Sequence, residues 1–520
     1  MGKVVGIDLG TSYSCVACVI DGKATVLKDS EGRHTQPSVA SFLPDGSVVV
    51  GHEAKKRTVI DPRNTVYSAK RLIGRKFFSE EVTKAKQHCA YEIVEGPNAE
   101  VKIKIRDRDY ALPEISALVL RKMKQVAEDA LGEEVTQAVI TCPAYFNDGQ
   151  RQATKDAGRI AGLEVLRIIN EPTAAALAYG YGKGLQQRVV VYDLGGGTFD
   201  VSILEIGNDV FEVISTAGDT YLGGDDFDDR ILQFLVQEFH KSTGYDIKDD
   251  PETMQKLKSL SERVKWALSE RTEVKIDVPN FVLSKNGPLH LQTVLTRNHF
   301  QQMCMDLVQR TFKVCDEAFQ NARLTINDVD SVLLVGGSTR MPIIRTSVEK
   351  YFFKTPQSNI DPDEVVAVGA SIQGASLTDT TQKSLLLDVT PMSLGIGTVG
   401  GLVKHLIEKN TPIPTEQTHI FTTTRDNQPS VRIMVYQGES TRQTDSDQLG
   451  EFTLTGIRAA RQGEPKIQVS FQIDTDGILN VSAKDLDTNQ EQSITIMAYG
   501  SMAENEISKA QAAAPELQRQ

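Results

Sequence analysis

VVVYDLGGGTFDVSI, Val189 to Ile203, is the stretch whose reading decides the fold. β-Branched and aromatic residues flank Gly195, Gly196 and Gly197, which predicts a β-hairpin turning on the glycines. With no Cβ in the way, successive backbone amides can point inward and form a nest for phosphate oxygens. Asp193 enters the turn and Asp200 leaves it, so two carboxylates stand where a phosphate-bound Mg²⁺ or K⁺ would need oxygen ligands. Thr198 adds a hydroxyl at the same mouth. By itself the pattern is also that of an ordinary glycine-rich hairpin.

A relative of this stretch opens the chain: VVGIDLGTSYSCVACVI, Val4 to Ile20. Asp8-Leu9-Gly10 matches Asp193-Leu194-Gly195 at a distance of about 185 residues, which reads as a duplication at domain scale. Two such loops facing each other across a cleft would grip a nucleotide tail from both sides. The pair is far more specific than either half.

The 520 residues allow about three to four domains. With 40% hydrophobic and 24% charged residues the composition is that of a globular chain with a sizeable core. The net charge of −12 and the lack of a basic stripe argue against a nucleic-acid partner. The first residues run straight into a strand without a leader pattern, and no apolar run approaches the roughly 20 residues of a membrane helix. The expectation is a cytoplasmic protein with no membrane partner. Cys15 and Cys18 would point to opposite faces of a strand, so all six cysteines read as buried free thiols.

Lys70, Arg71, Arg75 and Lys76 cluster after the first hairpin. Such a cluster is expected to be a solvated face, with Lys70, beside a small residue and an apolar turn, singled out to reach into a cleft. Helix patterns then alternate with apolar strands, which indicates α/β architecture. In NEPTAAALAYG, Pro172 suits an early helical position, leaving Glu171 at a loop edge; capping or dipole complementation would explain it alone. Gly223-Gly224 opens an amphipathic helix. Leu257, Leu260, Val264 and Leu268 form the apolar stripe of a later one, while Glu262, Lys265 and Ser269 share the other side, either solvent surface or a nucleotide-site wall. SVLLVGGSTRMPIIR ends a strand at Gly336-Gly337, where backbone can approach a ligand, and places Arg340 to stack on a planar base.

From Gln382 to Asp388 the pattern changes to short strands with turn signals, which predicts a β-sandwich. The apolar tether Ser384-Leu-Leu-Leu-Asp388 is either a first strand of that domain or a segment that docks in one state and is released in another. Gly395 to Gly400 spells G-x-G-x-x-G but lacks the helix and acidic residue of a dinucleotide site. The last segment reads as a short helix broken near Pro515.

Together IDLGTSYS, NEPTAAALAYG, DLGGGTFDVSI, LGGDDFD, GGSTRMP, LLLDVTPMSLG and DGILNVSAKD resemble the Hsp70 chaperone family, the bacterial DnaK type most of all. The resemblance implies a duplicated α/β, actin-like (ribonuclease H-like) ATPase domain over 1–383 and a linker over 384–388. An all-β peptide-binding sandwich over 389–502 and a helical lid, here a stub over 503–520, would follow. It implies ATP/ADP, Mg²⁺ and K⁺ as cofactors. Thr11, Ser12, Gly196, Gly197 and Thr198, with Gly10, Gly195, Gly223, Gly224 and Gly336 beside them, would contact the nucleotide. Lys70 would reach the γ-phosphate and the attacking water; Glu171, Asp193 and Thr198 would orient that water; Asp8, Asp193 and Asp200 would serve the cations. Glu262, Lys265, Ser269, Gly337, Ser338, Arg340 and Asp363 would enclose adenosine.

In the sandwich, Ile396, Thr398, Phe421, Val431, Ile433 and Ile467 would line a groove for extended hydrophobic peptides, under an arch of Val399 and Thr424. Arg167, Asn170, Thr173 and Asp388 would receive a J-domain co-chaperone, Pro143 and Arg151 would relay between domains, and a nucleotide exchange factor completes the partners. The departures are Ser384 in the linker, the Val399–Thr424 arch and the short lid, which would let peptide exchange quickly. A small-molecule kinase of the same fold would have no use for the sandwich. An actin-like filament or exchange factor would not need Lys70, Glu171 and Asp193 together. No Walker A motif is present.

Overall fold

The computed structural model describes residues 3–518 apart from 249, 286, 358–360, 379–383 and 496–501, and omits the side chains of 493–495. The onset of the change at Gln382 and the join between sandwich and final helix fall outside the described residues.

The duplication takes physical form as two sheets with the same local plan. In the first lobe, Val4–Asp8, Tyr13–Ile20 and Lys23–Val26 make an antiparallel meander, and Gln137–Cys142 then Glu164–Asn170 add in parallel on the Val4–Asp8 side. In the second lobe, Gln186–Leu194, Phe199–Gly207 and Val210–Asp219 repeat the meander, and Ser331–Val335 adds in parallel to its first strand. The signature residues hold matching places: Asp8 pairs with Cys15 in one hairpin and Asp193 with Asp200 in the other. The helices Glu171–Gly180 and Val365–Thr378 pack together and against both sheets. Cys15 and Cys18 do face opposite ways, into separate apolar clusters, and all six thiols are free.

The C-terminal β-region is a sandwich of two antiparallel four-stranded sheets. One orders Leu402–Ile407, Leu394–Thr398, Ser430–Gln437 and Asp447–Thr455; the other Thr415–Thr422, Lys466–Ile473, Leu479–Asp485 and Glu491–Thr495. Alternate residues such as Ile396, Ile433, Ile467 and Phe471 fill the space between them. The G-x-G-x-x-G run lies in a strand and its hairpin turn.

The tether is a strand, Leu385–Val389, but its neighbour is not what a first sandwich strand would have. It adds in parallel to Val210–Asp219 of the second lobe, Leu386 opposite Phe211, and its last two residues pair with Pro412–Ile413. Leu386 is buried, and Ser384 Oγ meets Ser376 Oγ at 3.1 Å. The final helix Glu504–Ala512 packs on the first lobe, with Ile507 and Ala510 in that lobe's core. Beyond Pro515 the chain adds to the edge at Val48, whose N–H donates to Glu516 O (3.0 Å) and whose carbonyl accepts from Gln518 N–H (3.1 Å). Among the described residues no helix is long and apolar enough to cross a membrane.

Burying Leu386 contributes about 2 kcal/mol to the docked tether, so Leu386→Ala is expected to cut the docked-to-released ratio by about thirtyfold. Protease access to the tether should rise accordingly, with the thermal midpoint of the lobes unchanged; unaltered cleavage would contradict the placement.

Candidate functional site

The two glycine loops meet. A Cβ on Gly196 would fall 2.0 Å from Ser12 Oγ, and one on Gly197 would fall 2.6 Å from Thr11 Cγ2, so only glycine permits this approach. The carbonyls of the glycine loop are already engaged: Gly195 O accepts from Gly224 N–H (3.0 Å) and Ser338 Oγ (2.8 Å), and Gly196 O accepts from Asp225 N–H (2.9 Å). Gly223, Gly224, Gly336, Gly337 and Ser338 therefore border the same loop.

Lys70, on a short helix Ala69–Arg71, sends its ammonium to Leu9 O (2.5 Å) and Glu171 Oε1 (2.6 Å), with both side chains buried. Glu171 thus pairs with a lysine; its N-cap neighbour Asn170 makes no side-chain cap. Asp8 accepts from Thr141 Oγ1 (3.1 Å) and Asp200 from Tyr145 N–H (2.9 Å). Burial first, and the Glu171 charge second, push Asp8 and Asp200 each up to about 7. Asp193 is held well above the ordinary carboxylate range by burial, then by Glu171, Asp200 and Asp8. Burial would depress Lys70, but Glu171 and Asp8 overcome it and raise the ammonium. Four carboxylates and one ammonium in a dry crevice leave room for added positive charge. Among the described residues no three ligating side chains converge on one point.

The other wall carries the adenosine candidates. Lys265 Nζ bonds Asp228 (2.8 Å) and Gly224 O (3.0 Å), and Ser269 Oγ bonds Lys265 O (3.2 Å). Glu262 crosses the cleft to Lys55 at 2.6 Å. Arg340, half exposed, holds Asp361 (2.6 Å) and Asp363 (2.7 Å). A small cavity of about 50 Å³ opens between these walls, lined by Thr11, Ser12, Lys55, Asp228 and Glu262 among others.

Arg71 corrects the expectation of a solvated cluster. It is as buried as Lys70 and joins the lobes through Asp226 (2.6 Å) and Gly197 O (3.1 Å), while Arg75 pairs with Glu81 (3.1 Å) and Thr220 (2.5 Å). Nothing local marks Lys55, a lysine whose partner Glu262 lies 207 residues away.

Between the domains, Thr173 Oγ1 donates to Asp388 Oδ2 at 3.1 Å. Arg151 spends its guanidinium inside the first lobe, on Phe146 O (3.1 Å) and Ala144 O (2.9 Å), against Gly477 of the sandwich. Pro143 and Asn170 are buried beside it, and Arg167 Nε is buried without an acceptor among the described residues. No local pattern marks the main hooks. Asp476 takes Lys155 (2.6 Å) and Ile168 N–H (3.0 Å), Asp148 takes Leu479 N–H (2.6 Å), and Lys409 reaches Glu317 (2.5 Å). In the sandwich, Ile396, Ile433 and Ile467 are enclosed, Thr398, Phe421 and Val431 are half-buried, and Val399 and Thr424 are exposed.

A family model described as Hsp70 protein matches residues 4–520, nearly the whole chain.

Asp148 supplies a pH test. Burial drives its carboxyl up to about 7, the Leu479 amide pulling it partly back; released from the sandwich it would titrate near 4. The docked form then binds the proton more tightly between those values, so docking is strongest below about pH 4 and weakens as pH rises through about 7. Asp474 and Asp156, also raised by burial, carry the same sign. Energy transfer between labels on sandwich and first lobe should fall from pH 5 to pH 8, and Asp148→Asn should flatten the curve.

Proposed function

The chain belongs to the Hsp70 family of ATP-dependent chaperones, and on that premise we propose how its residues divide the work. Residues 1–383 bind and hydrolyse ATP, 384–388 transmit the state, 389–502 hold extended hydrophobic peptide, and 503–520 stand for the lid, in a protein of the bacterial DnaK type acting in the cytoplasm.

The observation that carries this reading is Lys70, fixed by Leu9 O and Glu171 at the point where both glycine loops meet. Phosphoryl transfer needs positioning and charge stabilisation more than a protein nucleophile. Lys70 answers the charge of the γ-phosphate and holds the attacking water. Glu171 fixes that ammonium and, with Asp193 and Thr198, aims the water at phosphorus. Asp8 and Asp193 would hold Mg²⁺ and, with Asp200, K⁺, and the cations would supply charge neutralisation to the phosphates. Thr11, Ser12 and the glycine loops cradle the phosphates, and Glu262, Lys265, Ser269, Ser338, Arg340 and Asp363 enclose adenosine.

Coupling follows from the tether, which lies in the second lobe's sheet while Asp388 bonds the first lobe. Lobe closure by ATP favours this docked arrangement, and hydrolysis releases the sandwich to grip peptide. The coupling is reciprocal, so peptide and a J-domain protein at Arg167, Asn170, Thr173 and Asp388 speed hydrolysis, and an exchange factor resets the cycle.

In single-turnover assays Lys70→Ala and Thr198→Ala should each slow ATP hydrolysis by about a hundredfold or more, with ATP still bound. Full turnover in both would refute the assignment. Added unfolded hydrophobic peptide with a J-domain protein should accelerate the wild-type chain, and no sugar or other small acceptor should be required.

A further inference from the structure

The chain crosses from the second lobe to the first between Asp361 and Val365, and its carboxylates there go two ways. Asp361 and Asp363 hold Arg340 of the second lobe, at 2.6 and 2.7 Å, and Pro362 O accepts from Gly336 N–H (3.0 Å). Glu364 instead meets His34 of the first lobe, Oε1 against Nδ1. Directly after it the helix Val365–Thr378 seats on the first lobe's sheet, so closely that a Cβ on Gly6 would fall 2.1 Å from Ser371 N. An acidic side chain at a helix N-terminus answers the helix dipole by itself, so Glu364 alone asks for no partner. The informative member is the histidine. Its loop is braced to present it: Asp29 accepts from Arg33 Nε (2.7 Å), Gln36 Nε2 (2.6 Å) and the backbone N–H groups of Glu31 and Arg33 (2.9 Å each). Thr35, next in the chain, pairs with Cys15 in the sheet. The neighbouring polar groups are otherwise engaged. Arg33 holds Asp29 and Glu31, His52 bonds Thr35 O, Asp361 and Asp363 hold Arg340, and the Cys15 thiol is pushed well up by burial.

We propose that His34 is a positioning residue for the nucleotide: by holding Glu364 it fixes the crossover, and with it the Arg340–Asp363 pair that encloses adenosine. The inference rests on the ATPase reading and adds to it a residue that touches no nucleotide. An imidazole changes charge between about pH 5 and pH 8. Protonated, His34 holds Glu364 by an ion pair; neutral, it holds it by a hydrogen bond alone. The crossover is therefore held more firmly, and nucleotide kept longer, on the acid side. With side chains 38% and 25% exposed the pair is partly open to water, so the expected effect is about threefold, the size of a surface ion pair.

Release of labelled Mg-ADP from the full chain, chased with excess unlabelled ADP, measures this retention. Asp8, Asp193 and Asp200 titrate in every variant, so the reading is the ratio of each variant to wild type at one pH. At pH 6, His34→Ala and Glu364→Gln should each release ADP about threefold faster than wild type, and at pH 8 the ratio should shrink toward one. His34→Lys, charged at both values, should match wild type at pH 6 and release ADP more slowly than wild type at pH 8. The double variant should release no faster than either single one. A His34→Ala ratio of one at pH 6, the same ratio at both pH values, or additive effects in the double variant would overturn the inference and leave the ATPase reading standing. No Mg-ADP binding by the wild-type chain would overturn both. If His34→Ala lowers the melting temperature, His34→Lys still decides: release at pH 8 as fast as wild type or faster would overturn the inference.

Discussion

One ammonium among four carboxylates sets the terms for the whole ATPase half. In a crevice this dry, opposite charges attract several times more strongly than at a surface, and the same dryness penalises every charge left unanswered. Lys70 answers Glu171 directly; Asp8, Asp193 and Asp200 remain, and burial first, with the Glu171 charge second, lifts all three above the ordinary carboxylate range. The crevice exists only because the second hairpin turns on residues without side chains, so that Ser12 and Thr11 of the first can sit against Gly196 and Gly197. Arg71 and Lys55 then hold the walls together by ion pairs that span the lobes.

The hairpins, their duplication and the alternation of strand and helix were legible because each depends on short-range chemistry. Glycine runs force turns, β-branched runs make strands, and Pro172 starts a helix whatever lies beyond. Lys70 could be picked out by its apolar surroundings. Arg71 could not, since the same local sequence serves a solvated arginine equally well and its partner Asp226 lies far along the chain. The hooks at Asp148, Asp476 and Lys409 were invisible for the same reason: each is a loop or helix-end residue whose meaning comes from a surface in another domain. The final helix shows the limit most plainly. A short helix is legible there, and nothing in its pattern says that Ile507 and Ala510 enter the core of the first lobe.

The peptide-groove candidates divide by the same logic. The resemblance names Ile396, Ile433 and Ile467 as groove lining, and the structure encloses all three between the sheets. Whether an interior position lines a groove or fills a core depends on how far two sheets stand apart, a property no single strand encodes.

Asp388 occupies an unusual station. Its strand, Leu385–Val389, is bonded to the second lobe through Leu385 to Leu387 and to Pro412–Ile413 through Asp388 and Val389, while the Asp388 carboxylate reaches Thr173 beside the first lobe. Three bodies thus meet at one residue, and none can swivel without straining its hold on the other two. Such a joint ties the mutual angle of the two lobes to the seat of the third body through one carboxylate and a short stretch of strand.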